Sequence, residues 1–285
     1  MTCSHCGQVN PADARFCVGC GAPLATRGEP SAYRPVDRED HDLQPRNLDQ
    51  LISGTIAVYR SDPRSFWVLA IVPQIPALIS IFTPVVIAWL FVLVGFVAYL
   101  VAFAATVHAT GQRTLGQSID VGRSLSLAWS RIVPLILAAL MVVLALGGSA
   151  ILAVILVGIP LCFYLLVNWF FIVPAIMVEN TAPRAALSRS SSLVRDWWWQ
   201  TFGNGIVFVI LIVLMTIVVN IPSILLSIAN SSAGSIAASI ASIVIFPVIP
   251  IAATLVYLDL RVRKDDYTLG DLALEIGRRN PWSDT

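Results

Sequence analysis

Three long apolar runs dominate the sequence, and none of them contains a charged residue. They cover residues 66–107, 132–178 and 197–258. A helix that crosses the hydrocarbon core of a bilayer needs about 20 apolar residues, so each run is long enough for two crossings and a turn. The runs lack the alternation of a barrel strand, which favours helices. The pattern predicts an all-α membrane protein with six transmembrane helices in three hairpins. The predicted spans are residues 66–82, 84–107, 133–156, 160–178, 203–227 and 236–258.

A shorter stretch with helical periodicity precedes each apolar run. In the second copy, one face carries Leu115, Ile119, Leu125 and Trp129. Leu125 and Trp129 recur in the third copy as Leu193 and Trp197, and the first copy, residues 48–59, is fainter. Such stretches are too polar to cross a bilayer. With tryptophans at their ends, they are typical of amphipathic helices in the headgroup layer, although plain solvated connectors are the alternative. The sequence thus predicts three repeats of an interfacial helix followed by a helical hairpin.

Composition and charge define the class and the orientation. Hydrophobic residues make up 57% of the chain and charged residues only 12%, against about 25% in soluble domains, which excludes an ordinary soluble protein. All 18 Lys and Arg and all 17 Asp and Glu lie outside the three runs, so three hairpins place every charge on one side. The positive-inside rule assigns that side to the cytoplasm. We therefore expect a multi-pass protein of the inner (cytoplasmic) membrane with both termini cytoplasmic, and no cleavable signal peptide.

Four of the five cysteines form two CxxC pairs near the N-terminus. The predicted metal ligands are Cys3, Cys6, Cys17 and Cys20. Four thiolates complete the tetrahedral shell of one structural zinc ion and leave no position for a catalytic water. A redox or disulfide element is the alternative interpretation, which a reducing cytoplasm disfavours. The fifth cysteine, Cys162, lies inside a predicted span, where a lone thiol is expected to behave as a small apolar residue.

These patterns divide the chain into four parts. Residues 1–24 form the predicted zinc ribbon. Residues 25–46 are rich in proline and charge and poor in apolar side chains, which predicts a flexible linker. Residues 47–264 form the predicted membrane domain, and residues 265–285 a cytoplasmic tail with a short amphipathic helix.

Two segments resemble known families. Around the CxxC pairs, Asn10, Phe16 and the Ala-Pro-Leu that follows Gly21 resemble the zinc-ribbon headpiece of many bacterial membrane and regulatory proteins, which implies a docking or structural module. Residues 174–179, 186–195 and 257–263 carry a second likeness, which extends over roughly residues 48–275. This region is similar to the six-helix membrane domain attached to some bacterial glycerophosphoryl diester phosphodiesterases. The likeness implies a membrane module only, because the catalytic barrel of the fused proteins has no counterpart in this sequence.

Residues typical of catalysis are scarce in the predicted spans. They contain no carboxylate, lysine or histidine, and the sequence has no metalloprotease, serine-hydrolase, P-loop or dinucleotide motif. We therefore expect a non-enzymatic scaffold or regulator whose zinc module recruits a cytoplasmic protein, with membrane lipids around its spans and no nucleic-acid partner. A passive transporter or lipid-handling protein is the alternative. An enzyme would need a polar cavity that converges on Glu179 and Asp259.

Prolines recur in and beside the predicted spans. Each removes a backbone donor and favours a kink, which could open a cavity or simply be tolerated, as proline often is in membrane helices. They are Pro73, Pro76, Pro134, Pro174, Pro222, Pro247 and Pro250.

Overall fold

Twelve α-helices and no strand form the part of the chain that the computed structural model describes, residues 43–152 and 158–277. They are α1 (Leu48–Ser61), α2 (Pro63–Ile81), α3 (Val85–Thr114), α4 (Val121–Ser130), α5 (Ile132–Leu152), α6 (Gly158–Asn168), α7 (Ile172–Glu179), α8 (Pro183–Arg195), α9 (Trp198–Ala229), α10 (Ser231–Ile245), α11 (Val248–Asp265) and α12 (Leu269–Gly277).

Six helical segments are long and apolar enough to cross a membrane. They are α2, α3, α5 and α9 as single helices, and α6 with α7 and α10 with α11 as two broken pairs. The prediction of an all-helical, multi-pass membrane protein with six apolar helices is therefore confirmed. In the most apolar windows of α3 and α9 only 11% and 6% of the residues are buried, so these helices expose their apolar faces, as helices in lipid do.

Proline explains both helix breaks. Pro174 has no N–H to bond the carbonyl of Phe170, and the chain turns between α6 and α7 at residues 169–171. Pro250 likewise has no N–H to bond the carbonyl of Phe246, and α10 ends and α11 begins at this point. By contrast, the prolines inside α2 and α9 lie in continuous helices.

The helices follow one order three times: a short helix, a long apolar helix, and an apolar helix or pair of helices. The third member ends each time at or near a residue in the left-handed region, Gly116 after α3, Asn180 after α7 and Asp266 after α11. Such residues terminate helices because the next N–H can then bond a carbonyl of the last turn. These endings give the three repeats a common backbone feature that sequence periodicity alone did not show.

Contacts between the repeats close into a ring. The third members α3, α7 and α11 contact one another, and each short helix packs on one of them: α4 on α3, α8 on α7, and α1 on α11. Each long helix likewise contacts the third member of a different repeat: α5 contacts α3, α9 contacts α6, and α2 contacts α10. The first repeat is thus joined to the last, although they are farthest apart in sequence.

The buried core lies at the end of the ring that carries the charges. Its centre is formed by the last turns of α3, by α7 and by most of α11, including Phe171, Ile176 and Tyr257. The short helices contribute Leu51, Ala186 and Leu193. Away from this end, side chains such as Val86, Trp89 and Ile228 are largely exposed. Tertiary packing is therefore concentrated at one end of the helices.

Three predicted segments differ from the structure. The second amphipathic stretch was expected from Leu115, but α3 continues to Thr114 and α4 begins only at Val121, capped by the Asp120 side chain. The predicted spans 203–227 and 236–258 leave residues 228–235 for a turn, but Asn230 alone separates two helices and caps α10. Residues 43–46, assigned to the flexible linker, belong to the helical unit, where Leu43 packs against the core. The zinc-ribbon residues and most of the linker lie outside the described residues.

We expect Gly234→Ala to lower the free energy of unfolding by about 1–3 kcal/mol. A Cβ at position 234 would lie 2.5 Å from Cβ and 2.7 Å from Cα of Ser227, so α9 and α10 would have to separate. Gly203→Ala is the matched control, because a Cβ there meets nothing within 4 Å. Thermal unfolding of the purified protein in detergent measures both. Equal melting temperatures for the two variants would contradict the close α9–α10 approach.

Candidate functional site

The predicted zinc ligands Cys3, Cys6, Cys17 and Cys20 lie outside the described residues, so the structure neither brings them together nor separates them. Their donor set fits the ion on chemical grounds, because four thiols in two CxxC turns match tetrahedral zinc. In residues 43–152 and 158–277, no group of three or more His, Cys, Asp or Glu is arranged to hold a metal. Cys162 is half-buried and carries a free thiol.

The most highly organised polar site of the described chain is a cluster of arginines and carboxylates at the charged end. This arginine–carboxylate cluster consists of Glu179, Arg189, Arg261, Asp265 and Glu275, contributed by α7, α8, α11 and α12. Arg189 Nε donates to both oxygens of Glu179, at 2.8 and 3.0 Å, and its Nη2 donates to Asp265. Arg261 forms a bidentate pair with Glu275 at 2.7 and 3.2 Å. Bidentate arginine–carboxylate pairs have a fixed geometry, so the cluster fixes how these four helices meet.

Arg261 is the central member of the cluster. It is only 7% exposed, and its Nε also lies 3.4 Å from Glu179 Oε1 and 3.7 Å from Asp265 Oδ2. Its guanidinium stacks on Tyr267, with Cζ 3.6 Å from the ring centroid. A buried guanidinium needs this number of partners because removing it from water is costly. Arg261 therefore joins the end of α11 to α7 and α12.

Two tyrosines complete the hydrogen bonding of the carboxylates. Tyr257 donates to Glu179 Oε1, and Tyr267 donates to Glu275 Oε2 at 2.6 Å. Burial raises the pKa of Tyr267 above its ordinary value, and the hydrogen bond to Glu275 raises it further, so the phenol keeps its proton. For Arg189, burial lowers the pKa, but the bonds to Asp265 and Glu179 outweigh burial and raise it overall. Arg189 is therefore charged at neutral pH.

A second group of polar contacts, a clasp formed by Asp259, Arg263 and Arg46, attaches the first repeat to the last. Asp259 accepts from Arg263 Nε at 2.9 Å and from the backbone N–H of Arg46 at 2.5 Å, and Arg263 Nη2 donates to the carbonyl of Arg46 at 2.7 Å. The guanidinium of Arg263 also lies over the ring of Trp197, 5.1 Å from its centroid. The chain just before α1 is therefore held against α11. This clasp contributes to the ring closure described above.

Glu179 and Asp259, the carboxylates that an enzyme was expected to need, belong to these two separate sets. Each is engaged by an arginine, and the two sets share no residue. Glu179 therefore pairs with arginines of other helices, whereas Asp259 pairs with Arg263 within α11 and accepts from the backbone N–H of Arg46.

A third polar contact joins the first two repeats. His108 is buried, its Nδ1 lies 3.0 Å from Ser124 Oγ, and its Nε2 has no hydrogen-bond partner among the described residues. Nearby, Arg131 Nη1 donates to the carbonyls of Ile176 and Met177, which α7 leaves unbonded in its last turn. Burial lowers the pKa of Arg131. His108 directly follows the second predicted span, residues 84–107, and the sequence gave no sign of these contacts.

Comparisons with known proteins bear on the N-terminus. Residues 2–24 match the family of zinc-ribbon domains, which confirms the predicted ribbon and implies zinc binding. The match covers a small part of the chain and does not extend to the helical unit. No curated protein matches the chain, and no solved structure matches it.

We expect Arg261→Met to lower the free energy of unfolding by about 3 kcal/mol or more, because Glu275 would remain buried without its arginine and Glu179 would lose one of its two arginines. Lys264→Met is the matched control on the same helix. It removes an ion pair with Asp196 that is 28% and 61% exposed, so water already screens it and the loss should be much smaller. Thermal unfolding in detergent compares the two. If both variants lose the same stability, Arg261 is not central to the packing.

Proposed function

We propose that this protein is a non-enzymatic scaffold or regulator of the bacterial inner membrane, and that its zinc ribbon recruits a cytoplasmic protein. The observation that carries the proposal is the combination of a zinc-ribbon match at residues 2–24 with six apolar helices in one chain. Structural zinc with four thiolate ligands offers a rigid surface and no open coordination position, which suits docking rather than catalysis. The engagement of Glu179 and Asp259 by arginines also supports a structural role for the helical unit.

The proposal includes an arrangement in the membrane. The six apolar helices cross as three hairpins, and α1, α4 and α8 lie in the cytoplasmic headgroup layer before each hairpin. Two features support this: every charged residue falls outside the apolar runs, and Trp129, Trp197 and Trp199 stand at the ends of the short helices or directly after them.

One feature favours the alternative, a lipid-handling membrane protein. An apolar groove lies between α6 and α9 with α11 as its floor, and lipid would surround its opening if these helices cross the bilayer. The likeness to the membrane domain of glycerophosphoryl diester phosphodiesterases is compatible with either function.

The topology can be tested with single cysteines in a chain that lacks residues 1–42 and carries Cys162→Ser, which removes all five native cysteines. We expect a membrane-impermeant maleimide added to intact spheroplasts to label Ser231→Cys, at the start of α10, and not Ser130→Cys, at the end of α4. Both serines are exposed, so access to the side chain is matched. Lysed spheroplasts serve as the control, in which both positions should react. Labelling of Ser130→Cys in intact spheroplasts would refute the cytoplasmic assignment.

Recruitment can be tested by pulldown of the full chain in mild detergent. We expect the double variant Cys6→Ser, Cys20→Ser to lose both bound zinc and its co-purifying cytoplasmic partner, because two ligands cannot hold the ribbon together. Cys162→Ser is the matched control and should retain about one zinc ion per chain, measured by mass spectrometry of the metal.

Deletion of residues 1–42 separates recruitment from folding. The deletion leaves Arg46 in place, so the clasp with Asp259 and Arg263 is retained and the helical unit should keep its melting temperature. Partners that still co-purify at wild-type levels after this deletion would refute recruitment by the ribbon.

A further inference from the structure

The groove between α6 and α9 has the size and composition of a ligand site. Its volume is about 400 Å³, within the usual range for small-molecule pockets. Residues from three helices line it, among them Phe163, Val167, Phe208, Val209, Ala252 and Ala253. The two alanines of α11 provide a floor of small side chains, whereas aromatic and branched residues form the walls. Such a lining fits a hydrocarbon chain.

Two polar groups at the start of α9, one in this groove and one in the cavity next to it, have no partner among the described residues. The hydroxyl of Thr201 lines the groove, and the residue is 7% exposed. The indole N–H of Trp198, one turn earlier in α9, is buried between Tyr164 and Phe202, whose rings stack on it. Buried donors of this kind are costly unless an acceptor meets them. An occupant with acceptor oxygens near the start of α9 would satisfy both.

A positively charged side chain, that of Arg195, precedes these donors in the sequence. A second cavity of about 720 Å³ is lined by residues 195–200, which include the carboxylate of Asp196, together with Pro160 and Tyr164 of α6. Arg195 is exposed and forms no salt bridge or hydrogen bond with the described residues, whereas its neighbour Asp196 is paired with Lys264. The charge left available at this end is therefore positive, which fits an anionic group.

From this order of groups we propose that the groove binds one glycerophospholipid of the surrounding bilayer. From the charged end inwards, Arg195 matches the phosphate. Trp198 and Thr201 match the ester carbonyls, and the apolar walls match an acyl chain. Arg195 holds the phosphate by a charge-assisted hydrogen bond, and Thr201 and Trp198 donate to ester oxygens. A protein helix could fill the apolar walls, but its backbone carbonyls are already bonded and would leave the two donors unmet.

The site deepens the lipid-handling alternative and is independent of the zinc ribbon. Failure of lipid binding would leave the recruitment proposal intact, because the pulldown does not involve α6 or α9. Recruitment could likewise fail while the lipid site stands.

The test is native mass spectrometry of the full chain, released from detergent with added palmitoyl-oleoyl-phosphatidylglycerol. We expect one tightly retained lipid per chain. Gly205→Phe should weaken its retention more than tenfold, because Gly205 lines the groove and a Cβ there meets nothing within 4 Å, so the ring fills the cavity without a clash. Gly203→Phe is the matched control on the same helix, outside the groove lining and equally free of contacts.

Two further variants test the polar end. Thr201→Val keeps the shape of the side chain and removes the hydroxyl, for which we expect about a fivefold loss in affinity. Arg195→Gln should cost roughly tenfold for phosphatidylglycerol, and inorganic phosphate should not displace the lipid. Melting temperatures identify any variant that fails to fold.

Three results would overturn the proposal. The first is equal retention by the Gly205→Phe and Gly203→Phe variants. The second is displacement of the lipid by inorganic phosphate alone. The third is a stable dimer that Gly205→Phe disrupts, since a second copy would then occupy the groove.

Discussion

Hydrocarbon offers no hydrogen-bond partner, and a peptide group left unbonded there costs several kcal/mol. The apolar runs of this chain can therefore cross only as helices, and several of their polar side chains bond within their own helix. Thr106, Asn220 and Ser239 each donate to the carbonyl four residues earlier. Charged groups have no such solution in the middle of a helix, and they are confined to one end of the ring.

That confinement explains where the fold gains its specificity. Apolar faces that meet lipid have little preference among neighbours, because the acyl chains are as apolar as leucine. At the charged end, by contrast, Arg261 pairs at fixed distances with carboxylates of α7 and α12, and Arg263, which is paired with Asp259 on its own helix, bonds the backbone before α1. Arg261 selects Glu275 and Glu179, and Arg263 selects Asp259 and the backbone of Arg46. The arginine–carboxylate cluster and the clasp between Asp259, Arg263 and Arg46 join segments that are far apart in sequence, and the buried core lies around them.

The candidate sites show the same contrast between interactions that are local in sequence and interactions between remote segments. The zinc ribbon is a local module whose ligands lie within a short stretch of sequence, and the family match at residues 2–24 agrees with their spacing. The groove between α6 and α9 exists because α6 ends early, where Pro174 breaks the fourth apolar segment, and because small residues of α11 leave space behind it. The prolines were visible in the sequence as possible kinks, but nothing local showed that positions 174 and 250 break their helices while 73 and 222 do not.

The sequence by itself determined the helical class, the six apolar segments and the zinc ribbon, because hydrophobicity and cysteine spacing act over one helix length or one turn. It also indicated the threefold repeat through the recurrence of Leu125 and Trp129 as Leu193 and Trp197. Only the tertiary structure decided which helices close the ring, which carboxylates pair with Arg189 and Arg261, and that Thr201 and Trp198 have no hydrogen-bond partner among the described residues. Those outcomes depend on distances between segments remote in sequence, and no local pattern encodes such distances.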